Sequence, residues 1–334
     1  MRKHVVLAIK SAPGLMWNSW EPALELLSSD GFRVTDARST ETISPERLME
    51  LLFDADGLMV GFEKVPKAAI DAAPKLVVIG KPGAGVDNVD QAAATERGIY
   101  VCNTAGSNTE TVADHTLGMM LAAVRQIPKL DAMTRRGDGW KPWPPLIGGE
   151  IWARTLGIVG LGAIGKAVAR RAVGFRMKVL AYDPVVDEAF AREVGLDYVP
   201  LDTLLARSDI VTVHTPLLNE TRHLIGADEF RRMKRGAVFC NLSRGEVADQ
   251  DALVDALRSG QLSAAGIDVF WEEPLPVTSP LLALANVVLT PHVGGYSEQG
   301  ILKARIMLAE SVRDAIQGRI PQNVVNKEVL ARRQ

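Results

Sequence analysis

The chain has 334 residues, a length that suits two domains, each with its own core. Its hydrophobic fraction of 47% and charged fraction of 23% are ordinary for a globular enzyme. A formal net charge of −2 gives no reason to expect nucleic acid or an anionic membrane as partner. No apolar run is long enough to span a bilayer, and two cysteines, Cys102 and Cys240, are too few for a disulfide framework, which points to a reducing cytoplasm.

The first hundred residues alternate short apolar runs with helical patterns. Residues 4–9, 32–35, 57–60, 76–79 and 99–101 read as strands, and 17–27, 45–53, 66–72 and 89–96 as helices between them. Ser44 before Pro45 is an N-cap followed by the favoured first-turn proline. This alternation predicts a small, open, mostly parallel sheet covered by helices. The stretch Gly80-Lys-Pro-Gly83-Ala-Gly85 follows a strand but lacks a third glycine, since Asn88 stands there, and Asp87 and Asp90 would repel a phosphate. It reads as a substrate loop whose backbone N–H groups can grip a small carboxylate, or as a plain tight turn.

The Cys102–Gly106 stretch marks a crossing to a second domain. A long helix is expected over 109–125, with Ala113, Leu117, Met120 and Leu121 on its core face. Residues 131–149 are polar and rich in glycine and proline, and read as a loop; its two tryptophans, Trp140 and Trp143, suit an arm onto a second subunit or a self-packed loop.

The strongest stretch runs from Thr155 to Pro184. A strand over 156–159 leads into Gly160, Gly162 and Gly165, the G-x-G-x-x-G fingerprint. A helix of small and apolar residues over 164–173 and a strand over 178–182 follow, and Asp183 stands at the end. Gly160 permits the tight turn, Gly162 lets a pyrophosphate approach the backbone, and Gly165 lets the helix pack close to the strand. The helix N-terminus offers free N–H groups to the phosphates. Asp183 suits the ribose hydroxyls and repels a 2′-phosphate, so NAD is expected rather than NADP.

Further strands are expected over 209–213, 237–241, 264–269 (containing Asp268) and 286–289, and a final helix over 298–317. In open α/β sheets ligands bind beyond the carboxyl ends of strands, so the residues there are the candidates. Arg244 can hold a carboxylate by two parallel hydrogen bonds and polarise a carbonyl. His292 suits proton exchange at neutral pH. Glu273 can fix the tautomer of His292 and stabilise its imidazolium. Each has a bland alternative: a structural histidine, a surface ion pair, a solvated turn around Glu272-Glu273. His4, His115, His214 and His223 are the other histidines. No metal site is expected.

The chain resembles the D-isomer-specific 2-hydroxyacid dehydrogenases, which include glyoxylate, hydroxypyruvate and phosphoglycerate dehydrogenases. The resemblance lies in GKPGAGVDNVD from Gly80, the Asn103-Thr104 pair, GIVGLGAIGKAVA from Gly157 and VTVHTPLLNETRHLI from Val211. It continues in NLSRGEVAD from Asn241, AGIDVFWEEP from Ala265, TPHVGG from Thr290 and NVVN from Asn323. It implies a catalytic Arg244, Glu273 and His292, with Ala163, Ile164, Asp183, Thr215, Leu242, Ser243 and Asp268 lining the NAD site beside the glycines. It also implies a substrate carboxylate held near Lys81, Ala84 and Gly85.

The implied fold is α/β with two open parallel-sheet domains, a Rossmann NAD-binding domain (103–292) inserted into a flavodoxin-like substrate domain (1–102 with 293–334). The implied activity is hydride transfer between NADH and C2 of a small 2-oxoacid of glyoxylate or hydroxypyruvate type, giving the D-2-hydroxyacid, in a cytoplasmic homodimer. Two alternatives are an NAD-sensing, corepressor-like binding protein and a dehydrogenase for a phosphorylated acid such as 3-phosphoglycerate. Several departures bear on this. Gly61 stands where phosphoglycerate dehydrogenases usually place an arginine, and Lys81 stands where arginine is frequent. Pro82 removes a backbone donor. Glu273 replaces the glutamine of formate-oxidising relatives, and Tyr296 follows the histidine where small residues are usual.

Overall fold

The structure is a computed structural model and describes residues 2–10, 20–138 and 147–332. In chain order the elements begin with β1 (His4–Ala8), α1 (Glu21–Ser29), β2 (Arg33–Asp36), α2 (Pro45–Leu52), β3 (Gly57–Val60), α3 (Lys67–Asp71), β4 (Val78–Gly80), α4 (Gln91–Glu96) and β5 (Tyr100–Cys102). Next come α5 (Thr109–Arg125), α6 (Ile127–Arg135), β6 (Thr155–Val159), α7 (Ala163–Gly174), β7 (Lys178–Tyr182), α8 (Glu188–Val194), β8 (Asp197–Tyr198) and α9 (Leu201–Arg207). The chain continues with β9 (Ile210–Val213), α10 (Ala227–Arg232), β10 (Ala237–Asn241), α11 (Gln250–Arg258), β11 (Leu262–Ile267), β12 (Val287–Leu289), α12 (Glu298–Ile316) and α13 (Val329–Arg332).

The chain forms two compact units, one of residues 1–108 with 297–334 and one of residues 109–296. The first holds a five-stranded sheet in the order β2-β1-β3-β4-β5, with every pair parallel, which is the flavodoxin-like order. Successive strand residues face opposite sides of a sheet. Leu7, Met59 and Val78 therefore pack with Leu308 and Val312 of α12, while Val6, Leu58 and Ile79 pack with Leu48 and Leu52 of α2. Ser44 caps α2, its hydroxyl accepting from Arg47 N.

The second unit holds a seven-stranded sheet in the order β12-β11-β10-β9-β6-β7-β8, again with every pair parallel. The chain runs outward from β6 through β7 to β8, then returns to the other side of β6 at β9. That reversal makes a topological switch point at the carboxyl ends of β6 and β9, where such sheets bind ligands. Helix α5 covers one face, with Ala113, Leu117 and Met120 in the core beside Leu156, Ile158 and Val168.

Two expectations are corrected. Residues 131–135 belong to a helix, not a loop: α6 carries Pro128 in its first turn and an Arg135 Nε to Asp131 Oδ2 hydrogen bond of 2.8 Å one turn apart. Trp140 and Trp143 lie outside the described residues, as does the start of the helix expected from residue 17. Strand β11 stops at Ile267, so Asp268 lies just beyond it. Both cysteines are free and buried, and burial pushes each thiol up to about 12. Among the described residues no helix is long and apolar enough to cross a membrane.

Candidate active site

The first strand of the second unit turns sharply at Gly160, whose φ of +94° suits glycine. A Cβ at Gly165 would lie 2.2 Å from Gly160 O, so α7 starts directly against the turn. Gly162 is the N-cap of α7 and supplies no side-chain cap, while a Cβ built on it would meet nothing within 4 Å. The first amides of α7, from Ala163 and Ile164 onward, thus border open space that a phosphate can enter. At the end of β7, Asp183 Oδ2 accepts from Leu161 N at 2.7 Å and Oδ1 from Val185 N at 2.8 Å. The carboxylate is locked against the glycine turn. Thr215, after β9, packs on Gly160, and its Oγ1 is buried without a partner among the described residues. An anchored acid, an uncapped helix start and an orphaned hydroxyl at one sheet edge fit a dinucleotide.

Three neighbouring parallel strands, β10, β11 and β12, carry the remaining candidates beyond their carboxyl ends, one strand spacing apart. After β10, Asn241 organises the turn. Its Oδ1 accepts from Ser243 N and Oγ, and its Nδ2 donates to Arg244 O at 2.9 Å. Leu242 turns its side chain into the core. Arg244 Nη1 donates to Ser243 O at 2.7 Å. A Cβ on Gly245 would stand 2.1 Å from the carbonyl carbon of Phe270, so the arginine's segment lies flush on the segment after β11. Trp271 strengthens that contact. Its indole Nε1 donates to Ala248 O at 2.8 Å, and its ring stacks on His223 with centroids 4.8 Å apart.

Glu273 is held at one oxygen and used at the other. Oε1 accepts from Phe270 N at 3.0 Å, while Oε2 stands 2.7 Å from His292 Nδ1. Both side chains are partly exposed, His292 at 45% and Glu273 at 37%, so solvent reaches the pair. Glu272 makes no such contact among the described residues. His292 follows β12 with a φ of +53°, and its N–H donates to Asp268 O at 2.8 Å and Thr290 O at 3.0 Å.

Asp268 is 1% exposed. Its carboxylate accepts from Thr290 Oγ1 at 2.5 Å, Gly294 N at 2.8 Å and Val293 N at 3.0 Å, so its side chain serves the His292 loop. Burial alone would raise its pKa; the bonds from His115, Thr290, Gly294 and Val293 outweigh it and hold the carboxyl below the usual range. The phenol of Tyr296 is made less acidic by burial and by the charges of Asp268 and Glu273. The sequence marks His115 only as one of the other histidines; in the structure its Nε2 lies 3.1 Å from Thr290 Oγ1. Only the fold brings residues 115, 268 and 290 together, and no local pattern announces it. A cavity of about 240 Å³ opens near the amino ends of β6, β9, β10 and β12, lined by Arg154, Asp209, Gly236 and Asn286 among others; none of the expected site residues lines it.

In the first unit the Gly80–Gly85 loop is pinned from inside. Gly83 N donates to Thr104 Oγ1 at 2.7 Å, Thr104 N to Gly83 O at 2.9 Å, and Asn103 Nδ2 to Ala84 O at 2.6 Å. The amides of Ala84 and Gly85 make no hydrogen bond among the described residues. Lys81 Nζ lies 5.2 Å from the centre of the Phe62 ring, and Asn88 Nδ2 donates to Gly61 O and Glu63 O, which ties this loop to the end of β3.

Residues 117–294 match the family described as D-isomer specific 2-hydroxyacid dehydrogenase, NAD binding domain. A glyoxylate reductase of Korarchaeum cryptofilum is 44% identical over 290 residues, covering 86% of this chain and 87% of that one. The chain belongs to the D-isomer-specific 2-hydroxyacid dehydrogenases. As a member it is an NAD-dependent oxidoreductase. A D-3-phosphoglycerate dehydrogenase of Methanocaldococcus jannaschii is 40% identical over 92% of this chain but 57% of its own length. A solved structure from Thermus thermophilus superimposes with a TM-score of 0.85 at 37% identity, covering 96% of this chain and 99% of that one. The family's α/β architecture of two parallel sheets is the one seen here.

Proposed function

We propose that this dehydrogenase reduces a small unphosphorylated 2-oxoacid of glyoxylate or hydroxypyruvate type to the D-2-hydroxyacid. The observation that carries the reading is the 2.7 Å contact between Glu273 Oε2 and His292 Nδ1. It commits one ring nitrogen to the carboxylate and leaves Nε2 to give a proton to the substrate oxygen. The reduced dinucleotide, when bound beside Gly160–Gly165, Asp183 and Thr215, supplies the hydride. Arg244 holds the substrate carboxylate and stabilises the negative charge that develops on the carbonyl oxygen. Glu273 holds the His292 ring in place through Nδ1. Ala84 and Gly85, with unengaged amides, and Lys81 bind a carboxylate in the first unit.

The unphosphorylated class is supported by Gly61. A Cβ there would meet Glu63 Oε2 at 3.0 Å and Ile9 Cγ2 at 3.2 Å, so the position disfavours the arginine that would bind a phosphate. Glu63 itself is 2% exposed and accepts from Gly61 N at 3.0 Å. The test is NADH oxidation with glyoxylate, hydroxypyruvate, pyruvate and phosphohydroxypyruvate, with chiral analysis of the product. Turnover confined to the phosphorylated acid would reject the substrate class; tight NADH binding without turnover of any acid would favour an NAD-sensing role.

We also propose a homodimer formed through the second unit. Ile127 and Ile147, 51% and 91% exposed, gather at the end of α5, where Gln126 Nε2 donates to Ile147 O at 3.4 Å. Two such side chains favour a covering partner. A monomer mass by light scattering at micromolar concentration, with full activity, would reject it.

A further inference from the structure

Helix α5 reaches the loop that carries His292 through one histidine. His115 Nε2 lies 3.1 Å from Thr290 Oγ1, and that hydroxyl lies 2.5 Å from Asp268 Oδ1. A hydroxyl has one proton to give, and an ionised carboxylate only accepts. The proton of Thr290 therefore goes to Asp268, with Met119 Sδ at 3.8 Å the weaker alternative. Thr290 must then accept from His115, so Nε2 of His115 carries a proton. The chain of donors runs from His115 through Thr290 to Asp268.

Asp268 is the hub of the loop. It takes the hydroxyl of Thr290 and the amides of Val293 and Gly294, which together flank His292. Its backbone carbonyl takes the N–H of His292. The loop needs this restraint, because His292 has a φ of +53°, a conformation that non-glycine residues hold only where their surroundings impose it. Space around the hub is closed as well. A Cβ on Gly294 would lie 2.8 Å from Asp268 Oδ2 and 3.4 Å from His115 Cδ2. His115 Nε2 is itself 3.7 Å from Asp268 Oδ1.

We infer that His115 is a positioning residue for the reaction: its Nε2–H completes the network that holds the His292 loop in its left-handed conformation. This rests on the reading of His292 as the proton donor. Without the His115 hydrogen bond, Thr290 Oγ1 loses its only donor among the described residues and is held by its bond to Asp268 alone. The imidazole of His292 then shifts against the substrate oxygen, and a misplacement of about 1 Å costs up to about 10²-fold in rate.

The experiment compares His115→Gln, His115→Asn and His115→Leu in 2-oxoacid reduction, with NADH binding followed by fluorescence. The glutamine amide reaches the place of Nε2; the shorter asparagine amide does not. His115→Asn and His115→Leu are expected to lose about 10- to 100-fold in kcat, with KM and the NADH Kd little changed, while His115→Gln keeps most of the parental kcat. Parental kcat in both His115→Asn and His115→Leu, or a glutamine variant no better than asparagine, would overturn the inference. His292→Asn in the same assay separates the two levels. If it turns over like the parent, the reading of His292 fails and the inference with it; if it is inactive while the His115 variants are not, only the inference fails.

Discussion

His292 and Glu273 are joined at 2.7 Å through Nδ1 and Oε2, and the other Glu273 oxygen is fixed by the amide of Phe270 at 3.0 Å. The carboxylate therefore cannot swing away from the ring without giving up a backbone hydrogen bond. Replacing Glu273 by glutamine keeps a partner for the ring but removes the carboxylate charge beside it. The expected loss in kcat for reduction is about 10- to 100-fold, part of the ~10²–10⁴ that general acid catalysis supplies. Glu272→Gln should stay within about twofold of the parent. Steady-state kinetics of the two variants decides between the carboxylates; equal losses would refute the pairing.

Arg244 and His292 should fail differently. Arg244→Ala removes the group that binds substrate and also meets the developing charge, so KM rises and kcat falls together. Arg244→Lys keeps a cation without the planar fork and should recover only part. For His292, asparagine is the better probe than alanine, because it tolerates the left-handed backbone at φ +53°. It should lower kcat with little change in NADH binding, read by fluorescence titration.

Cofactor choice turns on Asp183. With both oxygens tied to the amides of Leu161 and Val185, the charge is fixed in place. NADH should be preferred to NADPH by about 100-fold in kcat/KM, the measure of a half-buried like-charge clash of about 3 kcal/mol. Asp183→Asn should narrow that gap. It should also lower the Tm, because the amide nitrogen cannot accept from the second backbone N–H. Equal kcat/KM for the two cofactors in the parent would refute the assignment.

His214 governs part of the acid response. Burial pushes its imidazole down to about 4. Its Nε2 lies 3.0 Å from Thr212 Oγ1, and its Nδ1 is buried without a partner among the described residues. Between about pH 6.5 and pH 4 the unfolded chain binds a proton here that the folded chain does not. Stability therefore falls as pH falls through that window, by up to about 3 kcal/mol in total. His214→Gln should flatten that part of the curve, measured as Tm between pH 7 and pH 4.5. An unchanged slope would show that His214 takes up its proton in the folded state.

Much of the second unit was legible because its signals are local. Gly160, Gly162, Gly165 and Asp183 lie within 24 residues, and strand, turn, helix and strand follow one another in that short span. Ser44-Pro45 marked the start of α2 for the same reason. Helix α6 is masked in the sequence because glycine and proline further along the stretch dominate its composition, although Pro128 and the Asp131–Arg135 pair are helix signals. The sequence reads as strand through Asp268 because the apolar run continues to Val269, yet the strand ends at Ile267. What ends the pairing is the demand of three distant donors, from Thr290, Val293 and Gly294, on one buried carboxylate. The part of His115 was hidden for a related reason: its partners are 153 and 175 residues away.

The contact of Gly245 with the backbone of Phe270 also bears on how this enzyme can be redesigned. No side chain fits between the two segments, so a graft that replaces the Arg244 turn while keeping the Glu273 turn would have to match the recipient's backbone to within a fraction of an ångström. Recombination breakpoints between residues 245 and 270 should therefore be poorly tolerated, and the two turns should be exchanged together, as one cassette.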